Sequence, residues 1–318
     1  MKNEVLKNYI INNISPRTTQ RDRIKKLYGE LKLYLGDDLC FQTGSYARFT
    51  AIRPVNDLDV FYIFSDGATT SNALKALPEL AKKLENEFPQ ECSENFSVEL
   101  QTHSVKLQFD DDFSIDVVPA VDIGKVTSDL NTPIYVVPDK KTLEWKNSDP
   151  KGYREITKQT DEASEGSLRR AIRFVKSWRK GCKDRDDDFK LKSFHIEQIF
   201  IEIFQENDGI ELFDAIKLFY SEIPNNLLSA RFEDRAYVEE SEDVFIDEYV
   251  NELSLAERNQ IINWSSSQLT KIKAIESAET EEGIIKIIED IMSCSGEVKD
   301  TTSAKTGDSF RPSGQHST

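Results

Sequence analysis

Asp57 and Asp59 are the residues in this sequence best placed to do chemistry. They stand in Asn56-Asp57-Leu58-Asp59-Val60, and the chain runs on as Phe61-Tyr62-Ile63-Phe64. An apolar run rich in β-branched and aromatic residues reads as a buried strand. Such a strand does not ordinarily open on two carboxylates. Side chains at i and i+2 of a strand share a face, so Asp57 and Asp59 project side by side at its start. Two like charges that close repel unless a cation lies between them, and the pair therefore reads as a divalent-metal site. A solvated strand end, or Asp57 as a turn residue, is the plainer account of the pair taken alone.

Two further features strengthen the metal reading. Gly44-Ser45 follows the apolar Phe41 and reads as a tight turn. Glycine lets the backbone approach a ligand, and successive turn amides form a nest for anions. The serine hydroxyl can donate to a phosphate oxygen. By itself a Gly-Ser dipeptide is most often an ordinary turn. Asp116 lies between Ile115 and Val117 in FSIDVV, another strand-like run. A carboxylate in so apolar a strand needs a partner. If the two strands are neighbours, Asp116 completes a three-carboxylate cluster; on an edge strand it would simply face water.

Gly-Ser, about a dozen residues, Asp–hydrophobic–Asp–hydrophobic and then a strand Asp is an order that resembles the signature of DNA polymerase β-like nucleotidyltransferases. Within that superfamily, GSYARFTAI followed by DLDVFYIF is most similar to the cGAS/DncV-like nucleotidyltransferases (CD-NTases) of bacterial anti-phage signalling systems. The specific part covers residues 40–120, with a looser match over 145–205 and the N-terminal helix.

The resemblance implies an α/β (α+β) fold, with a mixed-sheet catalytic lobe, a C-terminal α-helical lobe and the active site between them. It implies two Mg²⁺ ions, with Mn²⁺ an acceptable substitute, on Asp57, Asp59 and Asp116, the last also taking the proton of the attacking hydroxyl. It places Gly44, Ser45, Lys176 and Ser193 on the β- and γ-phosphates, Ser193 by its Ser-Phe-His context. NTPs, ATP among them, would be joined and cyclised into a signalling oligonucleotide with release of pyrophosphate. An operon-encoded effector, or an enzyme that conjugates the chain through its C-terminus, would be its partner. The alternatives are an RNA-tailing or tRNA-terminal enzyme, one that adenylylates a protein or drug, and a catalytically dead nucleotide-binding module.

The elements that must position these residues follow from periodicity. A short helix is expected over 1–14. Ser15-Pro16 reads as an N-cap and first helical position for a helix ending at Gly36, with Ile24, Leu27, Leu31 and Leu35 on one face. Strands are expected over 39–44, 57–65, 96–101, 104–110 and 113–118, with a helix over 71–88. Residues 122–163 read as irregular apart from a strand at 134–139; within them Trp145, Asp149, Pro150 and Tyr153 resemble a CD-NTase pattern near the interlobe linker, or else a packed surface loop.

From Ser164 the pattern is helical. Leu168, Ile172, Val175 and Arg179 share a face, and Lys176 borders it, so Lys176 is expected to enter the cleft. Residues 169–192 hold ten Lys or Arg and four Asp, a basic island. Ser193 reads as the N-cap of SFHIEQIFIEIF, with His195 packed beneath the site. Helices are expected over 210–224 and 242–253, and one or two over 254–292 with a break near Gly283. The expected divisions are an N-terminal helical region (1–36), a catalytic core (37–163), a helical lobe (164–294) and a disordered tail (295–318), the last from its Ser, Thr, Gly and Lys content.

Composition narrows the function classes. The 318 residues carry a formal net charge of −16, whereas proteins that grip long nucleic acids present basic surfaces; a polynucleotide substrate is disfavoured. The cysteines Cys40, Cys92, Cys182 and Cys294 show no paired spacing, which argues against a zinc site or disulfide framework. No apolar run suits a membrane span or signal peptide. The expected location is the reducing cytoplasm.

Overall fold

The computed structural model of the chain describes residues 1–64, 73–237 and 244–294. The tail expected over 295–318 lies outside the described residues, as do the first positions of the helices expected over 71–88 and 242–253.

The strand that opens on the two aspartates, β2 (Asp57–Ile63), is apolar on both faces beyond them and lies inside the sheet. It lies antiparallel to β1 (Cys40–Thr43) and parallel to β5 (Ser114–Val126). The sheet continues through β4 (Val105–Phe109) to β3 (Phe96–Leu100), in the order β1-β2-β5-β4-β3. The distal half of β5 leaves this path and pairs with β6 (Pro133–Asp139), which pairs with β7 (Glu144–Ser148).

Period 2 sorts the faces. Leu58 and Val60 of β2, with Ile115 and Val117 beside them on β5, are fully buried. They pack in one cluster with Leu27 and Leu31 of α2 (Thr18–Leu35) and Leu80 and Leu84 of α4 (Ala73–Asn86). Each such side chain contributes roughly 1.5–3 kcal/mol by leaving water. Asp57, Asp59 and Asp116 occupy the alternate positions and so project to the opposite face.

That face looks toward a helical lobe made of α5 (Pro150–Ala163), α6 (Ser167–Arg185), α7 (Ser193–Glu206), α8 (Leu212–Asn226), α9 (Tyr249–Glu252), α10 (Leu255–Glu276) and α11 (Glu281–Met292). The N-terminal helix α1 (Lys2–Tyr9) and the π-helical turn Ile10–Ile14 join this second core, with Leu6 and Ile10 in one cluster with Ile284, Ile288 and Ile291. Helix α2, only a few residues later, belongs to the sheet's core instead.

Several local expectations are corrected. Ser15 is not an N-cap: its hydroxyl donates to the Ile10 carbonyl at 3.1 Å and closes the π-helical turn, and α2 starts later, from an extended Arg17. The stretch 122–163 is regular. It holds the end of β5, both strands of the β6–β7 hairpin, and α5, whose N-cap Asp149 accepts from the Gly152 amide at 2.7 Å with Pro150 in the first turn. The helix expected over 242–253 is limited to Tyr249–Glu252, because Glu233 and Phe245 pair as a β-bridge. The break between α10 and α11 lies at 277–280; Gly283 is inside α11's first turn and donates to the Thr280 hydroxyl. No helix among the described residues is long and apolar enough to cross a membrane.

Candidate active site

The register of β2 and β5 sets the carboxylates side by side. Asp59 lies opposite Asp116 across the parallel pair, and Asp57 is one pleat away. Burial, then Asp57, then Asp116, push the Asp59 carboxyl up to about 6. Burial and then Asp57 do the same to Asp116. Among the described residues, no three carboxylate, histidine or cysteine side chains converge as a preformed metal centre. The set nonetheless suits a divalent ion: Asp116 Oδ1 is buried with no hydrogen-bond partner, and a hard cation takes carboxylate oxygens.

Gly44 is the second part of the site. β1 ends at Thr43, which pairs with Asp59, and the chain turns at once into the short helix α3 (Gly44–Ala47). Gly44 has φ +67, and a methyl group built on it would collide with the Asp59 carboxylate. Glycine is required on both counts. Gly44→Ala is expected to cut turnover by about a hundredfold, the size of effect that an ångström of misplacement produces. Steady-state rates and a thermal melt on the same preparation check this; a wild-type rate would show that the turn does not place Asp59.

Glu197 ties the lobes together beneath the carboxylates. It is fully buried on α7 and accepts from Arg48 Nε at 2.6 Å, from Thr50 Oγ1 at 2.8 Å, and from Lys176 of α6. Burial alone would raise its pKa, but Arg48 and Lys176 more than offset this and hold it at about 2. Burial pulls Lys176 below the usual lysine range despite Glu197. The neighbouring backbone is gripped as well: Arg169 Nε donates to the Arg48 carbonyl at 2.9 Å, and Arg173 to that of Phe49 at 2.6 Å. Phe49 itself has φ +58, a left-handed conformation unusual for a bulky residue.

Arg48, Thr50 and Glu197 line one cleft of about 520 Å³ between the lobes. Gly44, Ser45, Asp57 and Asp59 stand on the sheet side, and Lys176 and Ser193 on the helical side. Asp116 lies beside Asp59, just off the cleft's lining. Ser193 is not an N-cap; Lys192 holds that position, and Ser193 is the first helical residue, with no capping hydrogen bond. His195 is buried behind it, its Nδ1 2.9 Å from the Tyr249 hydroxyl, and burial lowers it to about 4.

Sequence reasoning missed Arg48, Thr50 and Glu197, and also the rim cations Arg179, Lys180 and Lys183 as cleft residues. Glu197 had a signal. It falls four residues after Ser193, on the same face of the helix. The Asp149 pattern is structural. Asp149 is fully buried and accepts from Arg235 Nε at 3.2 Å, and Tyr153 packs edge-on against Phe194, which lines the cleft.

A family model described as the Second Messenger Oligonucleotide or Dinucleotide Synthetase domain matches residues 1–161, the whole span from α1 to α5. The chain belongs to that family. A cyclic AMP-AMP-AMP synthase of Escherichia coli strain MS 115-1 is 29% identical over 227 residues, 67% of this synthetase and 68% of that one. Among solved structures, E. coli MS115-1 CdnC with ATP superposes with a TM-score of 0.70 at 20% identity, over 93% of this chain and 98% of that one. Vibrio cholerae DncV in its 3′-deoxy GTP bound form gives 0.64 at 14% identity, over 91% and 94%. The mixed sheet with a helical lobe is thus the nucleotidyltransferase fold that the CD-NTase resemblance implied.

Proposed function

We propose that this synthetase joins NTPs, ATP among them, into a cyclic oligonucleotide in the cleft between its lobes, releasing pyrophosphate, as a second messenger in anti-phage defence. The observation that carries the reading is Asp57 and Asp59 on a cleft of about 520 Å³ with a cationic rim, with Asp116 in register beside Asp59. Asp57, Asp59 and Asp116 would hold two Mg²⁺ ions, which when bound lower the pKa of the attacking hydroxyl and offset charge on the leaving pyrophosphate. Asp116 Oδ1, buried and unbonded, is the atom that would take the hydroxyl proton. The Gly44-Ser45 turn and the Ser193 hydroxyl would hold the β- and γ-phosphates. Lys176 already spends its donors on Thr50 and Glu197, and an ammonium has three. It reaches a phosphate only by exchanging one of them; until then its charge stands under the cleft floor.

The reducing cytoplasm suits the four free cysteines. An effector or a C-terminal conjugation partner completes the signalling role; the tail that would carry conjugation is outside the described residues.

Incubation with Mg²⁺ and an equimolar mixture of labelled NTPs is expected to give a small product that resists alkaline phosphatase, because a closed ring has no terminal phosphate. Chromatography with and without added RNA reads the outcome. Label confined to added RNA, or to a protein acceptor, would replace this reading with a tailing or adenylylating enzyme.

A further inference from the structure

A second concave site lies on the other side of the 48–56 segment. It has a volume of about 800 Å³ and shares no lining residue with the active-site cleft. Five arginines line it: Arg17 and Arg21 from the start of α2, Arg53 from the segment leading into β2, and Arg170 and Arg173 from α6. Among the described residues no carboxylate lines it, in a protein whose formal net charge is −16.

Among the described residues none of the five arginines is in a salt bridge. Arg53 donates to the Asn12 carbonyl at 2.7 Å, Arg170 to the Glu165 carbonyl at 3.1 Å and Arg173 to the Phe49 carbonyl at 2.6 Å. A carboxylate that acts on Arg173 is Asp161, which is already bound to Arg169 at 2.9 Å. Arg173 Nε is buried with no hydrogen-bond partner. Burial and then Arg21 lower its guanidinium to about 10. Five guanidinium groups converging without an anion repel one another, and guanidinium forks match phosphate oxygens in pairs. The first turn of the 18-residue helix α2 also faces the cavity through Thr18, adding the positive end of its dipole.

We infer that this arginine cavity is a binding site for a small oligophosphate anion, separate from the catalytic cleft. Inorganic oligophosphate and the phosphate chain of a nucleotide share that chemistry. The concave shape and the acidic remainder of the surface favour a compact anion over a long duplex.

The test is calorimetric titration of the full chain with tripolyphosphate in EDTA, comparing wild type with Arg17→Ala/Arg21→Ala/Arg170→Ala. These arginines are outside the catalytic cleft, so the variant should keep its NTP turnover. A control, Lys75→Ala/Lys82→Ala/Lys273→Ala, removes the same charge from surface positions that line neither site. Wild type and control are expected to show a class of sites that the arginine variant binds at least about a hundredfold more weakly, given three lost charge-assisted contacts. Competition by ATP at that class, with none by adenosine, would assign the natural ligand to nucleotides; failure of ATP to compete would assign it to inorganic oligophosphate. Equal tripolyphosphate binding by all three proteins would overturn the proposal. So would a short DNA duplex losing affinity for the arginine variant while tripolyphosphate does not.

Discussion

Asp57→Asn/Asp59→Asn is expected to lose turnover by on the order of a thousandfold or more, comparable to removing transition-state electrostatics from other active sites, and yet to melt higher than wild type at pH 7–8. The stability gain follows from linkage. The folded Asp59 carboxyl sits at about 6 against an ordinary value of 3.8, so between those pH values the folded chain binds more protons than the unfolded one. Its stability therefore falls as pH rises through that window. At pH 5 and below, much of the penalty is absent; above about pH 6 it is complete, worth ~1–3 kcal/mol after allowance for solvent at the cleft edge. Neutral asparagines remove it. Metal-free thermal melts at pH 5 and pH 8, with turnover measured on the same samples, check both halves. Normal turnover would remove the aspartates from the chemistry, and a variant that melts lower at pH 8 would make them structural.

Glu197→Ala should be the most damaging single change to the fold. It leaves Arg48 and Lys176 facing each other in a buried site without their shared anion, a loss of the kind that costs about 3–5 kcal/mol. Thr50 loses its acceptor as well. Because Arg48 and Thr50 lead from α3 toward β2, NTP use should fall together with stability. Chemical denaturation measures the first and initial rates the second. Glu197 titrates at about 2 in the folded chain against an ordinary 4.5, so its stabilisation is complete above about pH 4.5 and lost as pH falls toward 2. The gap between wild type and Glu197→Ala should persist at pH 5 and narrow at pH 3. An unchanged denaturation midpoint at pH 7 would mean that the lobes are joined by something else.

The part of the site legible in the sequence is the part governed by short-range geometry. Asp57 and Asp59 are neighbours because a strand repeats every two residues, and Asp116 announces itself as a charge among apolar residues. Their pairing across β2 and β5 then needs only that two apolar strands lie together. Glu197 is joined to Arg48 and Thr50 across nearly half the chain's length, and no local spacing reports such a partnership. Helix α5 was hidden for another reason. Asp149-Pro150 has both a loop reading and a helix-start reading, and its use as N-cap is settled by burial against Thr132 and Arg235. The second half of β5, VDIGKV, is too polar to look like a strand; it is held by β6 rather than by a core.

The division of the N-terminal helices between two cores bears on the order of assembly. Helix α2 packs on a sheet whose strands follow it within the first half of the chain, so that lobe can condense while synthesis is still under way. Helix α1 has no partner in that first half: Lys2 and Asn3 meet Phe213 of α8, and Leu6 shares a cluster with Ile284, Ile288 and Ile291 of α11. Its first partners arrive with α8, and its apolar face is fully covered only when α11 has been made. Contacts this distant in sequence form late and slowly. The interlobe cleft is therefore finished last, and a nascent chain would carry a folded carboxylate lobe before it could hold a nucleotide against it.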